Sequence, residues 1–182
     1  DFTPELSSIS IDELSIQRKY MEIYKDLDFI ERAGKTCCEI AISKSGYKED
    51  KNAIYISSDT MVICGDKIYN KPEDKIQAEE MLMSYFGKKH YVITAVCLRA
   101  TDYIEVFYSL AKIKFVDFYP YLSKEIKSYI ESDNPMDKAG AYGIQEISPY
   151  WVEYIEGDIN TIIGLPLSEL AKRLQDSLSY LK

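Results

Sequence analysis

Two long β-rich stretches, HYVITAVCLR (90–99) and YIEVFYSLAKIKFVDF (103–118), are separated by only three residues. Runs of β-branched and aromatic residues this long argue against a helical bundle, and so short a joint makes antiparallel pairing the simple solution. Other strands are predicted around this pair. AIYISS (53–58) is a short run of strand formers. MVIC (61–64), the Gly65-Asp66 turn and KIYN (67–70) predict a hairpin, and WVEYI (151–155) is strand-like. Helical spacing alternates with these runs. Ile23, Leu27, Ile30, Ala33, Cys37, Ile40 and Ala41 predict an amphipathic helix over Lys19–Ile42, broken at Gly34, while residues 1–20 read as loop plus edge. Pro72 opens a second helix, with Asp74 and Gln77 as its capping box and Gly87 as its stop. Ser123–Glu131 is a short helix, and leucines from Leu167 to Leu181 predict a closing one. The fold class is α/β, a sheet flanked by helices, with no internal repeat and no linker.

Composition narrows the function. Thirty acids against 22 bases leave a net charge of −8. A nucleic-acid coat needs a broad basic face, so a polymer partner is not expected. No apolar run reaches the ~18–20 residues needed to span a bilayer, so no membrane partner is expected either. The four cysteines follow no C-x2-C spacing and the chain has one histidine, so a structural zinc site is not expected. Four reduced thiols and no recognisable signal peptide point to the cytoplasm. P-loop and Rossmann fingerprints are absent, and a solitary His90 disfavours catalytic triads.

Four segments carry chemistry that local folding does not demand. In Ser57-Ser58-Asp59-Thr60 an acid stands at a predicted strand end, able to hold a hard cation or take a proton from water. An Asx-turn explains the same residues. In Asn70-Lys71-Pro72 an ammonium precedes a helix start, a combination suited to phosphate, although a solvated lysine is the plainer reading. Asp137 to Gln145 (DKAGAYGIQ) packs two glycines and two alanines between polar handles. That lets backbone approach a ligand, or simply makes a tight turn. Gly157 to Leu167 needs no ligand, since proline at a helix start accounts for it.

Taken in order, IDE (11–13), AGK (33–35), SSDTMV (57–62), NKP (70–72), FGKKHYVIT (86–94), YIESDNPMDKAGAYGIQ (129–145) and EGDINTIIGLPLSEL (156–170) resemble the Maf family of nucleoside triphosphate pyrophosphatases. The resemblance runs from about Ile11 to Leu178. It implies a single Maf-like domain over 1–182, with an elongated mixed sheet, two lobes and a central cleft, as in inosine triphosphatase-like folds. It implies hydrolysis of a nucleoside triphosphate to monophosphate and pyrophosphate with Mg²⁺ or Mn²⁺, by a cytoplasmic homodimer. By similarity, Asp59 is the general base or a metal ligand and Glu13 a second acid at the metal. Lys35 and Lys71 hold the phosphates, with Lys71 at the leaving group. Asp137, Lys138 and Gln145 sit by the base and sugar.

The DKAGAYGIQ loop resembles the branch acting on dTTP and UTP, and a Gln amide suits their imide edge. The chain departs from the family pattern in three ways. Ala95 and Glu146 stand where glycine is usual, and Ser45–Asn52 is a small insertion. The family's opening strand and S-x-S-P-R-R phosphate loop do not occur in the ten residues before IDE, so the sequence is expected to continue upstream. The alternative reading is a nucleotide-binding or regulatory protein, linked to cell division, that has lost turnover with that loop.

Overall fold

A computed structural model describes residues 11–46 and 53–177. Its elements are α1 (Glu13–Ile23), α2 (Phe29–Lys44), β1 (Tyr55–Cys64), β2 (Lys67–Tyr69), α3 (Lys75–Tyr85), β3 (Lys89–Ala100), β4 (Tyr103–Phe115), α4 (Tyr121–Glu131), β5 (Val152–Glu156), α5 (Ile159–Ile163) and α6 (Leu167–Ser177). Three 3-10 turns lie between α4 and β5. The five strands form one sheet in the order β2-β1-β3-β4-β5. The predicted hairpin is present, with Cys64 opposite Lys67 across the Gly65-Asp66 turn, and β4 pairs antiparallel with β5. The α/β class with a helix-flanked sheet is therefore observed.

The differences from the sequence reading have local causes. AIYISS and MVIC are one strand, because Asp59 and Thr60 continue the ladder instead of turning. The first long helix does not break at Gly34. It breaks at Tyr24–Asp28, where Asp28 caps α2 by accepting from the Ile30 and Glu31 amides. Gly34 lies within α2 because the Tyr108 ring rests on it. A Cβ there would come within 2.7 Å of that ring, and only glycine allows so close an approach. The segment read as loop plus edge holds α1, capped by Asp12, while residues 1–10 lie outside the described residues, as does most of the Ser45–Asn52 insertion. The cap of α3 matches expectation: Asp74 accepts from Gln77 N at 2.8 Å, and Gln77 reaches back to the Glu73 amide at 2.7 Å.

The chain divides into two compact units, Asp1–Asp59 with Ala95–Tyr108 and Leu167–Lys182, and Thr60–Thr94 with Ser109–Pro166. Buried residues of the first include Ala33, Cys37, Ile40 and Ala41 on one face of α2, and Ala95–Leu98 of β3. Its closing helix is tied down by Arg173, which pairs with Glu105 and lies 4.4 Å over the Phe107 ring.

The second unit is built on aromatic rings. Tyr85, Phe86, Phe115, Tyr142 and Trp151 meet at centroid distances of 5.4–6.4 Å in edge or tilted geometry, the arrangement ring quadrupoles prefer. The single histidine belongs here. His90 is fully buried, stacks on Tyr85 at 4.4 Å and shares a 2.7 Å hydrogen bond with the Tyr142 hydroxyl. Burial lowers its pKa from 6.5 to about 3.

The unfolded chain therefore binds a proton at His90 below about pH 6.5, while the folded chain refuses it until about pH 3. Stability from this site is complete above pH 6.5 and is lost as pH falls, by ~1.4 kcal/mol per pH unit across that window. Urea unfolding between pH 7 and pH 5 should show this slope in wild type, and both His90→Phe and His90→Gln should remove it. A slope unchanged in both variants contradicts the assignment.

Candidate active site

Asp59 lies at the fifth position of β1 and is only 8% exposed. An ionised carboxylate so placed needs a cation or several donors. It receives Lys44, from the last turn of α2, whose ammonium stands 2.6 Å from Asp59 Oδ1 and 2.9 Å from Glu13 Oε1. One ammonium thus bridges two carboxylates. The Cys37 thiol, one face of α2 earlier, approaches the carbonyl oxygen of Asp59 at 3.2 Å and its Oδ2 at 3.4 Å. Ser57 Oγ donates to the carbonyl of Ala41 at 2.7 Å, which fixes β1 against α2.

Burial raises the Asp59 pKa above the ordinary carboxylate value. Lys44 opposes that shift, and the Glu13 charge adds to it. Burial works to lower the Lys44 pKa, but the two carboxylates outweigh it and the net shift is upward. The result is an acid pair joined by a protonated lysine, a charge pattern that can take a divalent cation and accept a proton.

Asp59 and Glu13 are thus brought together as the sequence reading expected. The lysine that joins them is Lys44, which that reading passed over. Lys35, the expected phosphate ligand in this stretch, stands half-exposed on α2 and pairs with Glu31 one helical turn away at 3.3 Å. Spacing could not have singled out Lys44, because its partners come from β1 and from another helix. Among the described residues no group of three or more His, Cys, Asp and Glu side chains assembles. Asp59 and Glu13 therefore make too small a donor set for an all-protein cage. They do suit Mg²⁺ or Mn²⁺, which commonly keep water and arrive with substrate phosphates.

The second unit holds a cavity of about 210 Å³, lined by Thr60, Val62, Tyr142, Gln145 and Ile162 among others. The DKAGAYGIQ loop forms one wall and is clamped from behind. Gly140 N donates to Asn70 O at 3.1 Å, and the Tyr85 hydroxyl donates to Gly140 O at 3.1 Å. Gly140 has φ +72°, and a Cβ there would meet Val62 and the Tyr85 hydroxyl at 2.8 Å, so the small residue is required.

Lys138 is committed within this wall. Its ammonium reaches Asn134 O and Asp137 Oδ1 at 2.8 Å each and Glu146 Oε1 at 3.1 Å, which uses all three of its protons. Glu146 also accepts from the Tyr129 hydroxyl at 3.2 Å. Glu146, which stands at a position where glycine is usual, thus braces the loop. Asp137 titrates below its usual value, first through the Lys138 hydrogen bond, with the charge of exposed Lys71 also contributing. Gln145 is exposed on the cavity wall.

Removing Lys44 leaves a buried carboxylate without its cation. Lys44→Met should cost about 3 kcal/mol in urea unfolding, near the lower end for breaking a buried pair. The double variant Lys44→Met/Asp59→Asn should recover part of that loss. No loss in the single variant contradicts the pairing described.

The chain is similar in sequence to proteins of known name. A dTTP/UTP pyrophosphatase of Aquifex aeolicus is 41% identical over 133 residues, covering 72% of this chain and 68% of that protein. One of Bacillus anthracis is 36% identical over 138 residues, covering 75% and 71%, and one of Pasteurella multocida 39% identical over 121 residues, covering 66% and 59%. The family model described as "Maf-like protein" matches residues 5–177, and the chain belongs to that family.

Proposed function

We propose that the protein hydrolyses dTTP and UTP to the monophosphate and pyrophosphate. The observation that carries this reading is the Asp59–Lys44–Glu13 cluster, a buried acid held ready beside a second acid in a chain whose relatives bear the name dTTP/UTP pyrophosphatase. A triphosphate repels an attacking water, so turnover requires neutralised charge and a base. Asp59 takes the proton as the water oxygen bonds to phosphorus, the α–β anhydride bond breaks and pyrophosphate departs with the electron pair. Lys44 keeps the paired acids together and adds positive charge.

A divalent ion bound through Asp59 and Glu13 would supply Lewis-acid charge stabilisation at the phosphates. Lys71 provides positive charge for the leaving group, and the 137–145 loop with Gln145 addresses the base. Lys138 supports this loop rather than contacting phosphate, because its protons are already taken. Lys35, half-exposed on α2 beside Glu31, offers further positive charge to the phosphates. The same reading carries a cytoplasmic homodimer whose partner is free nucleotide.

Three measurements test the activity. Asp59→Asn should lower turnover of dTTP by ~10²–10⁴ while the thermal transition survives, as expected for loss of a general base. EDTA should abolish turnover, and Mg²⁺ or Mn²⁺ should restore it. In a panel of triphosphates scored by pyrophosphate release, dTTP and UTP should exceed dATP and GTP, and Gln145→Ala should flatten that order. Binding without turnover of any nucleotide, by folded wild-type protein with metal present, would favour the regulatory alternative.

A further inference from the structure

The Asp59–Glu13 pair is already bridged by a cation of the protein's own. Lys44 Nζ lies 2.6 Å from Asp59 Oδ1 and 2.9 Å from Glu13 Oε1. Asp59 Oδ2 faces the Cys37 thiol at 3.4 Å, so Oδ1 is the oxygen turned towards Lys44 and Glu13. A divalent ion held by both carboxylates stands between them, at about 2.1 Å from each oxygen for Mg²⁺. The ammonium occupies that place. Ion and ammonium cannot share one volume, and two carboxylates do not offset three positive charges at such a separation.

Lys44 is the member of the cluster that can leave. Asp59 is buried within a strand, whereas Lys44 is partly exposed at the end of α2 on a flexible four-carbon stem. An ion that enters alone sheds water and leaves the displaced ammonium without a counter-charge. A triphosphate that arrives with the ion removes this penalty, because its oxygens receive both the ion and the freed ammonium.

We propose that Lys44 is the resident counter-ion of the metal site, a placeholder that excludes divalent metal from the acid pair until a triphosphate accompanies it. The inference rests on the metal-assisted reading above and deepens it. Lys44 thus has two positions. In one it joins the acids while the site waits for substrate, and in the other it faces phosphate. Metal and nucleotide then favour each other's binding by the same factor, as linkage requires.

Mn²⁺ binding to nucleotide-free protein, read from loss of the free-ion electron paramagnetic resonance signal, tests the exclusion without any turnover. Wild type should bind weakly. Lys44→Met should bind about tenfold more tightly or better, the scale of ordinary coupling between sites. Lys44→Gln should repeat this if Lys44→Met folds poorly, and Lys44→Arg, which keeps the charge, should stay weak. Structural damage lowers metal affinity, so a gain is not explained by loosened packing. Adding Asp59→Asn to Lys44→Met should remove the gain. With the α,β-methylene analogue of dTTP present, water-proton relaxation should report Mn²⁺ on wild-type protein as well.

Nucleotide-free wild type that binds Mn²⁺ as tightly as Lys44→Met overturns the proposal. So does a folded Lys44→Met or Lys44→Gln protein with no gain, or a gain that survives Asp59→Asn. The activity is judged separately. A Lys44-dependent gain in a protein that never hydrolyses dTTP removes the proposed activity and leaves Lys44 as holder of the cation position. Metal-dependent hydrolysis of dTTP with a Lys44-independent Mn²⁺ affinity does the reverse.

Discussion

An ionised carboxylate in the middle of a strand, 8% exposed, is an expensive object unless a cation reaches it. Lys44 reaches Asp59 at 2.6 Å, and much of the first unit serves that contact. Helix α2 must end on the side of β1 where its last-turn lysine meets the acid. Its buried face of Ala33, Cys37, Ile40 and Ala41 fixes its rotation, and the Ser57 hydroxyl fixes its approach. Glu13 joins from α1, which packs on α2. The arrangement has two consequences. The lysine stabilises an acid that burial alone would keep protonated, and it draws a second carboxylate to within reach of the first.

The second unit solves a different problem, which is to hold a loop of small residues rigid. Its rear is an aromatic core with a neutral histidine. Its front is the 137–145 wall, clamped at the Gly140 backbone by the Asn70 carbonyl and the Tyr85 hydroxyl and braced by the Lys138–Glu146 pair. Ala141 accepts φ +63° within that wall, a left-handed conformation that a non-glycine residue adopts at a cost of order 1 kcal/mol. Surrounding contacts hold it there. A preorganised wall loses less entropy on binding.

Local chemistry was legible in the sequence. The Asp74–Gln77 cap, the Gly65-Asp66 hairpin and the two long β stretches follow from rules that span a few residues, and the structure contains all of them. Asp59, Glu13 and the Gly-rich loop were also legible, through their order along the chain. Tertiary constraints were not. Gly34 looked like a helix breaker because nothing local reveals the Tyr108 ring that rests on it. Asp59 looked like a turn residue because its stabilising lysine is fifteen positions away. Lys35 and Lys44 lie on the same helix, and only packing decides which meets the acid. Helix α5 has five residues, too few to show a period.

The central claim is that the chain's acid cluster serves cleavage of a nucleotide's α–β anhydride. ³¹P NMR of dTTP incubated with the purified protein and Mg²⁺ tests it most directly. The account predicts that the three triphosphate resonances are replaced by those of dTMP and pyrophosphate, at a rate that collapses in Asp59→Asn. Accumulation of dTDP with inorganic phosphate, or an unchanged spectrum from folded wild-type protein, would contradict it.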